Sequence, residues 1–369
     1  MQFTVPDWMA RATELTRAGR LGEATALIQS ALQAGGQQAP GPQPPADDAS
    51  VVDGEARIVD VHASDAPVEA ADSAAPPASS APPSTAASQW LSGHHAESAG
   101  ARSYRLYVPA GTPAGPRPLL VMLHGCTQDP DDFARGTRMN ALADAHGFLV
   151  LYPAQAHRAH AQGCWNWFKH NHQQRGRGEP AVLAGMVRAV MAQHAVDPQR
   201  VFVAGLSAGG AMAAILGRAY PELFAAVGVH SGLPPGAAQD LPSALSAMQT
   251  GAAAPTVPPG GPPTIVFHGD QDTVVHPANA TGVLQACAGS AAGGQAQPGQ
   301  AGGRSYTRQV WADATGAVRA ELWLVRGAGH AWSGGSAQGS HTDPAGPDAS
   351  REMLRFFLEH PLPAGGGTR

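Results

Sequence analysis

Three residues of this 369-residue chain have the types and the order that acyl-transfer chemistry requires: Ser207, Asp272 and His330. A serine hydroxyl is a poor nucleophile at neutral pH. It needs a base to take its proton, and the base needs an acid to hold its tautomer and balance its charge. Ser207 lies in Gly205-Leu206-Ser207-Ala208-Gly209, between the apolar run 201–204 and the small-residue run 210–216. That order reads as strand, sharp turn and helix, which pushes the serine out of a sheet to where a substrate and a base can reach it. In a chain with 45 glycines the pentapeptide means little by itself, so its context has to carry the reading. Two acids, Asp270 and Asp272, follow the apolar run 264–267. His330 follows the run 321–325 in a loop of small residues. Each candidate therefore sits just past its own strand, in the order serine, aspartate, histidine. The oxyanion formed in acyl transfer needs preorganised N–H donors. Ala208, at the start of the helix after the serine, supplies one. Cys126, in Leu123-His124-Gly125-Cys126-Thr127-Gln128 after the run 119–123, supplies the other.

The elements that must hold these residues are legible from their texture. The runs 119–123, 148–152, 201–204, 225–229, 264–267 and 321–325 are continuously apolar, as strands of a parallel sheet covered on both faces are. Residues 103–108 alternate like an edge strand. Helical stripes fall between the strands, as in Leu183, Met186, Val187, Val190 and Met191, and the run 353–357 closes the chain. Alternating strand and helix is the α/β signature. Residues 233–263 and 288–304, rich in Gly, Ala and Pro, read as surface loops. This main domain covers 90–361. Before it, residues 1–34 predict a helical hairpin, with Leu21, Ala24, Leu27, Ile28 and Leu32 at helical spacing. Residues 35–89, mostly Pro, Ala, Gln, Ser and Asp, read as a disordered linker, and 362–369 as a flexible tail.

A net charge of −5 and a pI near 6.3 give no basic surplus, which argues against nucleic-acid or anionic-membrane partners. The N-terminal stretch carries Asp7, Glu14 and Glu23 with no long apolar run, so it reads as lacking a signal peptide and the chain as soluble and cytoplasmic. Three cysteines, Cys126, Cys164 and Cys287, are too few and too odd for a disulfide framework and read as free thiols. His157, His160, Cys164, His170 and His172 crowd together, but their spacing matches no common zinc pattern, so neither metal nor cofactor is expected.

Four segments together resemble the esterase family of polyhydroxybutyrate depolymerases. They are 123–128 above, Cys164-Trp165-Asn166-Trp167-Phe168, Gly205-Leu206-Ser207-Ala208-Gly209-Gly210-Ala211-Met212 and Gly329-His330-Ala331-Trp332-Ser333-Gly334-Gly335. The family is also similar to feruloyl and acetylxylan esterases. The resemblance implies an α/β-hydrolase fold, a mostly parallel central sheet with helices on both faces, and a serine carboxylic ester hydrolase that forms an acyl-enzyme without a cofactor. In the family the acid is the aspartate of His-Gly-x-x-Asp-x-x-Val. His268, Gly269, Asp272 and Val275 fit that pattern, so Asp272 is expected as the acid and Asp270 as a turn residue. Trp165, Trp167 and Trp332 either line the acyl or alcohol pocket or pack the long loop. Exported members of the family open an extracellular alternative and, with it, a Cys126–Cys164 disulfide tying the oxyanion loop to the aromatic loop. The expected substrates are small esters or oligoesters, such as oligo(3-hydroxybutyrate) or poly(3-hydroxybutyrate) and other short aliphatic esters. With no separate polymer-binding module read after residue 361, soluble esters or oligomers are favoured over an insoluble polymer. A feruloyl- or acetylxylan-type carbohydrate esterase is the alternative. A non-catalytic binding protein on a hydrolase fold is the alternative of another class, and the intact serine, aspartate and histidine argue against it.

Overall fold

A computed structural model describes residue 11 and residues 87–111, 115–252, 258–289 and 293–363. The chain divides between Pro82 and Pro83 into two units, and the segments from residue 87 onward belong to the second. All of the predicted hairpin 1–34 but residue 11, nearly all of the linker 35–89 and most of the tail 362–369 fall outside the described residues.

Ten strands make one sheet: β1 (Gln89–Glu97), β2 (Gly100–Val108), β3 (Arg117–Leu123), β4 (Leu149–Pro153), β5 (Val196–Leu206), β6 (Ala226–His230), β7 (Thr264–Gly269), β8 (Gln297–Ala301), β9 (Arg304–Ala312) and β10 (Val318–Val325), in the order β1-β2-β4-β3-β5-β6-β7-β10-β9-β8. From β4 to β10 every pairing is parallel. The flanks, β1-β2-β4 on one side and β10-β9-β8 on the other, are antiparallel. The parallel strands are the continuously apolar runs of the sequence. All residues of β4, β6 and β7 are buried, as a strand covered on both faces must be.

The helices are α1 (Pro130–Thr137), α2 (Met139–His146), α3 (Gly178–Gln193), α4 (Ala208–Ala219), α5 (Leu241–Thr250), α6 (Ala278–Ala288) and α7 (Ala349–Glu359). They cover both faces. On one, Met186 and Val187 of α3 and Met212 and Leu216 of α4 join Val121 and Val203. On the other, Phe133 of α1, Met139 of α2 and Phe356 and Phe357 of α7 join Met122 and Phe202. Phe202 and Phe357 stack at 5.1 Å between centroids. After β10, β11 (Trp332–Ser333) pairs in parallel with β12 (Thr342–Asp343).

Two stretches read as loops hold elements. Residues 233–263 contain α5, opened by a capping box in which Asp240 Oδ1 accepts from Ser243 N–H and Ser243 Oγ accepts from Asp240 N–H. Only Ala244 and Ala247 of α5 are buried, too small a stripe to stand out. Residues 288–304 contain β8, a polar edge strand whose only cue is its pairing with β9. Likewise 103–108 is not the edge, because the polar β1 pairs outside it.

Candidate active site

The parallel pairings align one edge of the sheet. Leu123 lies opposite Gly205, Leu206 opposite His230, His230 opposite Phe267, and Val325 opposite Gly269. Ser207, Asp272, His330 and Cys126 each follow one of these strand ends, so the loops that carry them open on one edge.

Ser207 has φ 57 and ψ −120, a backbone conformation that L-residues rarely adopt and that tends to be kept where function demands it. Its N–H donates to His230 O at 2.9 Å, which pins the turn to β6. Its hydroxyl does not cap α4, the helix that follows. The turn is tight because Gly205 and Gly209 allow it. A Cβ on Gly209 would run into Leu123 O and, at 2.6 Å, His124 O. The start of α4 thus rests directly on the end of β3.

The acid and the base are brought together from loops 58 residues apart. His330 Nδ1–H donates to Asp272 Oδ2 at 2.8 Å. Asp272 Oδ1 accepts from Val274 N–H (3.0 Å) and Val275 N–H (2.9 Å). Burial pushes the Asp272 carboxyl upward, but the bond and charge of His330, the Val275 N–H and His268 together hold its pKa below the ordinary value. Asp272 is therefore ionised and aimed at one nitrogen of His330. Asp270 instead accepts from Gly327 N–H at 2.7 Å and serves as a turn residue.

Within the loop after β3, three N–H groups are committed. Gly125 donates to Gln128 Oε1 (2.9 Å), Thr127 to Gln162 O (2.8 Å) and Gln128 to Gly125 O (3.3 Å). Among the described residues, Cys126 N–H has no such acceptor. Ala208 opens α4, so its N–H has no intrahelical acceptor either. Those are the two donors the sequence singles out.

Several buried groups to which the sequence assigned no role hold this arrangement. Gln128 Nε2 donates to Asp132 Oδ2 (3.0 Å) and Ser340 O (3.1 Å), tying the loop after β3 to the loop after β11. His268, fully buried, donates Nε2–H to Val275 O at 2.8 Å and lies 3.4 Å from Asp272 Oδ2. His230 accepts Ser333 N–H at 2.9 Å. Burial, then coupling to the imidazoles of His268 and His330, brings its pKa down to about 3, so it stays neutral. Behind the aromatic loop, Glu179 accepts from Arg102 (2.9 Å), Gln155 (2.5 Å), Asn166 N–H (2.7 Å) and Asn166 Nδ2 (2.8 Å). Burial opposes its charge, yet hydrogen bonds from His172, Gln155 and Asn166 hold its pKa down at about 2. These partners lie at 102, 155, 166 and 172 with no fixed spacing, so only the fold reveals them.

Three expectations change. Cys126 and Cys164 form a disulfide and only Cys287 is a free thiol, so the reading of three thiols is corrected in favour of the covalent tie between the two loops. Trp165 is wholly buried with its indole N–H on His124 O (3.1 Å), and Trp332 is 1% exposed with its N–H on Ser350 Oγ (3.0 Å). Both pack the scaffold rather than line a pocket. Trp167, 6% exposed, joins the core of Trp165 and meets Phe168 edge to face. His160 Nδ1 accepts Cys164 N–H and His172 faces Glu179, so the crowded histidines have local work. Among the described residues no His, Cys, Asp and Glu side chains are grouped to hold a metal ion, and no helix is long and apolar enough to cross a membrane.

The family model described as Esterase PHB depolymerase matches residues 102–288, about half of the chain. The chain belongs to the PHB depolymerase esterase family. It is 32% identical over 237 residues to poly(3-hydroxyalkanoate) depolymerase C of Paucimonas lemoignei, a match covering 61% of this chain and 57% of that protein. It is 31% identical over 293 residues to poly(3-hydroxybutyrate) depolymerase of Ralstonia pickettii, covering 71% and 58%. The chain thus spans less than two thirds of the length of either relative. Among solved structures, an acetyl xylan esterase from Aspergillus awamori superimposes with a TM-score of 0.56 over 70% of this chain and 94% of that one, at 21% identity. That likeness fixes the fold of this esterase-family chain as the α/β-hydrolase type.

Proposed function

We propose that this chain is a serine carboxylic ester hydrolase that works through an acyl-enzyme, with 90–361 as its catalytic domain. The observation that carries the reading is the 2.8 Å bond from His330 Nδ1 to Asp272 Oδ2, made where the loop of the strained Ser207 opens on the same edge. Asp272 holds Nδ1–H, so Nε2 of His330 is the basic nitrogen. It takes the Ser207 proton as Oγ attacks the ester carbonyl carbon. The negative charge moves to the carbonyl oxygen, which Cys126 N–H and Ala208 N–H receive. Collapse breaks the carbon–alcohol oxygen bond, and His330 returns the proton to the departing alcohol. Water, deprotonated by His330, then cleaves the Ser207 ester and releases the acid. No cofactor takes part.

The substrates proposed are 3-hydroxybutyrate oligomers or polymer and other short aliphatic esters, since both depolymerase relatives bear names of that kind. The test is a panel of p-nitrophenyl butyrate, 3-hydroxybutyrate oligomers, and acetylated and feruloylated sugars. Oligomers and butyrate should be turned over fastest, and Ser207→Ala should cut kcat by about 10⁴-fold or more. Equal rates for the wild type and Ser207→Ala would end the enzyme reading. Faster turnover of the sugar esters would move the chain to carbohydrate substrates.

A further inference from the structure

His341 stands at the rim of the site with a left-handed backbone, φ 50, and an exposed side chain. Its neighbours are anchored. Ser340 N–H donates to Asp132 Oδ1 at 3.0 Å and Ser340 O accepts from Gln128 of the loop after β3. Thr342 Oγ1 donates to Ser336 O at 2.9 Å. The His341 carbonyl itself accepts Trp332 N–H at 2.7 Å, two residues beyond His330. The peptide on either side is therefore held while an imidazole projects from a conformation that non-glycine residues avoid, and such outliers gather at ligand-binding positions.

Across from it is Thr127, next to Cys126 and also left-handed at φ 65. Thr127 Oγ1–H is spent on Cys126 O at 2.5 Å. At the 3.4 Å contact between His341 Nε2 and Thr127 Oγ1 the imidazole is therefore the donor. Partial desolvation, then the neighbouring His330 charge, lower the His341 pKa, so near neutral pH the ring is uncharged and carries one N–H. A 3.4 Å contact is long for such a bond, and a better-placed acceptor displaces it easily.

The reaction geometry says which part of a substrate arrives there. In the tetrahedral intermediate the oxyanion points at Cys126 N–H and the leaving oxygen at His330 Nε2. His341 bridges those two loops, beside Thr127 on one and near His330 on the other. The group that flanks this gap is the alcohol half of the ester.

We infer that His341, with Thr127 beside it, is a specificity residue for the alcohol half of the substrate, its Nε2–H donating to an acceptor oxygen such as the carbonyl that a hydroxyacid alcohol carries. The inference rests on the ester-hydrolase reading above and adds to it a residue that selects among esters with the same acyl group.

The experiment compares two butyrate esters, one of 2-propanol and one of ethyl 3-hydroxybutyrate, by titrating the acid released. The wild type should favour the second. His341→Ala should shrink the ratio of the two kcat/KM values about five- to tenfold, the size of one hydrogen bond. His341→Gln, which keeps an N–H donor, should restore part of it. His341→Asn suits the left-handed backbone and shortens the reach, so it should behave as Ala and carries the test if the Ala variant does not fold. Unchanged ratios in both Ala and Asn variants, with the wild type active on both esters, overturn the assignment of His341 and leave the hydrolase reading standing. A wild type inactive on both esters overturns the hydrolase reading, and the His341 role falls with it.

Discussion

At the residue scale the proposed chemistry depends on which nitrogen of His330 carries the proton. Asp272 sets that by accepting Nδ1–H, and its own orientation is fixed by Val274 N–H, Val275 N–H and His268. Asp272→Asn keeps the shape but turns an acceptor into a donor, which favours the wrong tautomer. It should lower kcat by about 10³- to 10⁴-fold with little change in KM, measured by steady-state hydrolysis of p-nitrophenyl butyrate. A loss below tenfold would show that Asp272 does not govern the tautomer. The positions of Ser207, Asp272 and His330 could be read from the sequence because each follows an apolar run that is itself a strand, and strand ends in a parallel sheet share an edge. The His268 and Glu179 arrangements could not. A histidine or glutamate next to apolar residues looks the same whether it is solvated or bonded inside, and the partners of Glu179 lie at 102, 155 and 166.

At the element scale, two loops are coupled by one covalent bond. Cys126–Cys164 joins the loop bearing the free Cys126 N–H to the segment that Glu179 anchors. Replacing both cysteines with serine frees a loop spanning a sequence separation of 38 residues. The cost should be about 2–4 kcal/mol of stability, read from urea unfolding. Because the freed loop carries a donor, kcat should fall more than KM rises. A double-serine variant with wild-type kcat would separate the disulfide from the chemistry. Gly209→Ala tests a different contact. Its methyl meets Leu123 O and His124 O in rigid backbone, so the turn must open and Ser207 must move, and activity should be lost even in protein that still folds. The continuous apolar strands announced themselves, but β1, α5 and β8 did not, because each draws its stability from a neighbour and not from its own pattern. No residue of β1 is fully buried, and β8 is Gln-Pro-Gly-Gln-Ala with none buried.

At the scale of the whole molecule, the interior holds histidines that must stay neutral. Burial lowers the pKa of His124 and His268, and brings that of His230 to about 3. The unfolded chain binds protons at these positions once the pH drops below about 6.5, while the folded chain resists. Their contribution is therefore complete above pH 6.5 and drains away as the pH falls below it, for His230 down to about 3, at up to about 1.4 kcal/mol per unit for each group. Glu179 extends the loss, since its stabilisation is present above the ordinary carboxylate range and disappears as the pH falls toward about 2. The urea midpoint should hold level from pH 8 to 7 and drop steeply from 6.5 to 4. A midpoint flat to pH 5 would mean the buried histidines are charged or solvated. One contact ties this global stability to turnover. Leu123 is paired with Gly205, and the start of α4 rests on Leu123 O. Sliding β3 along β5 by one residue would displace Cys126 from Ser207 by about 3.3 Å, further than any hydrogen bond can stretch. On the proposed function, ester cleavage is thus a stopwatch for assembly. During refolding, the first product should emerge only when these two strands have zipped in their native alignment, whatever the rest of the sheet has already formed.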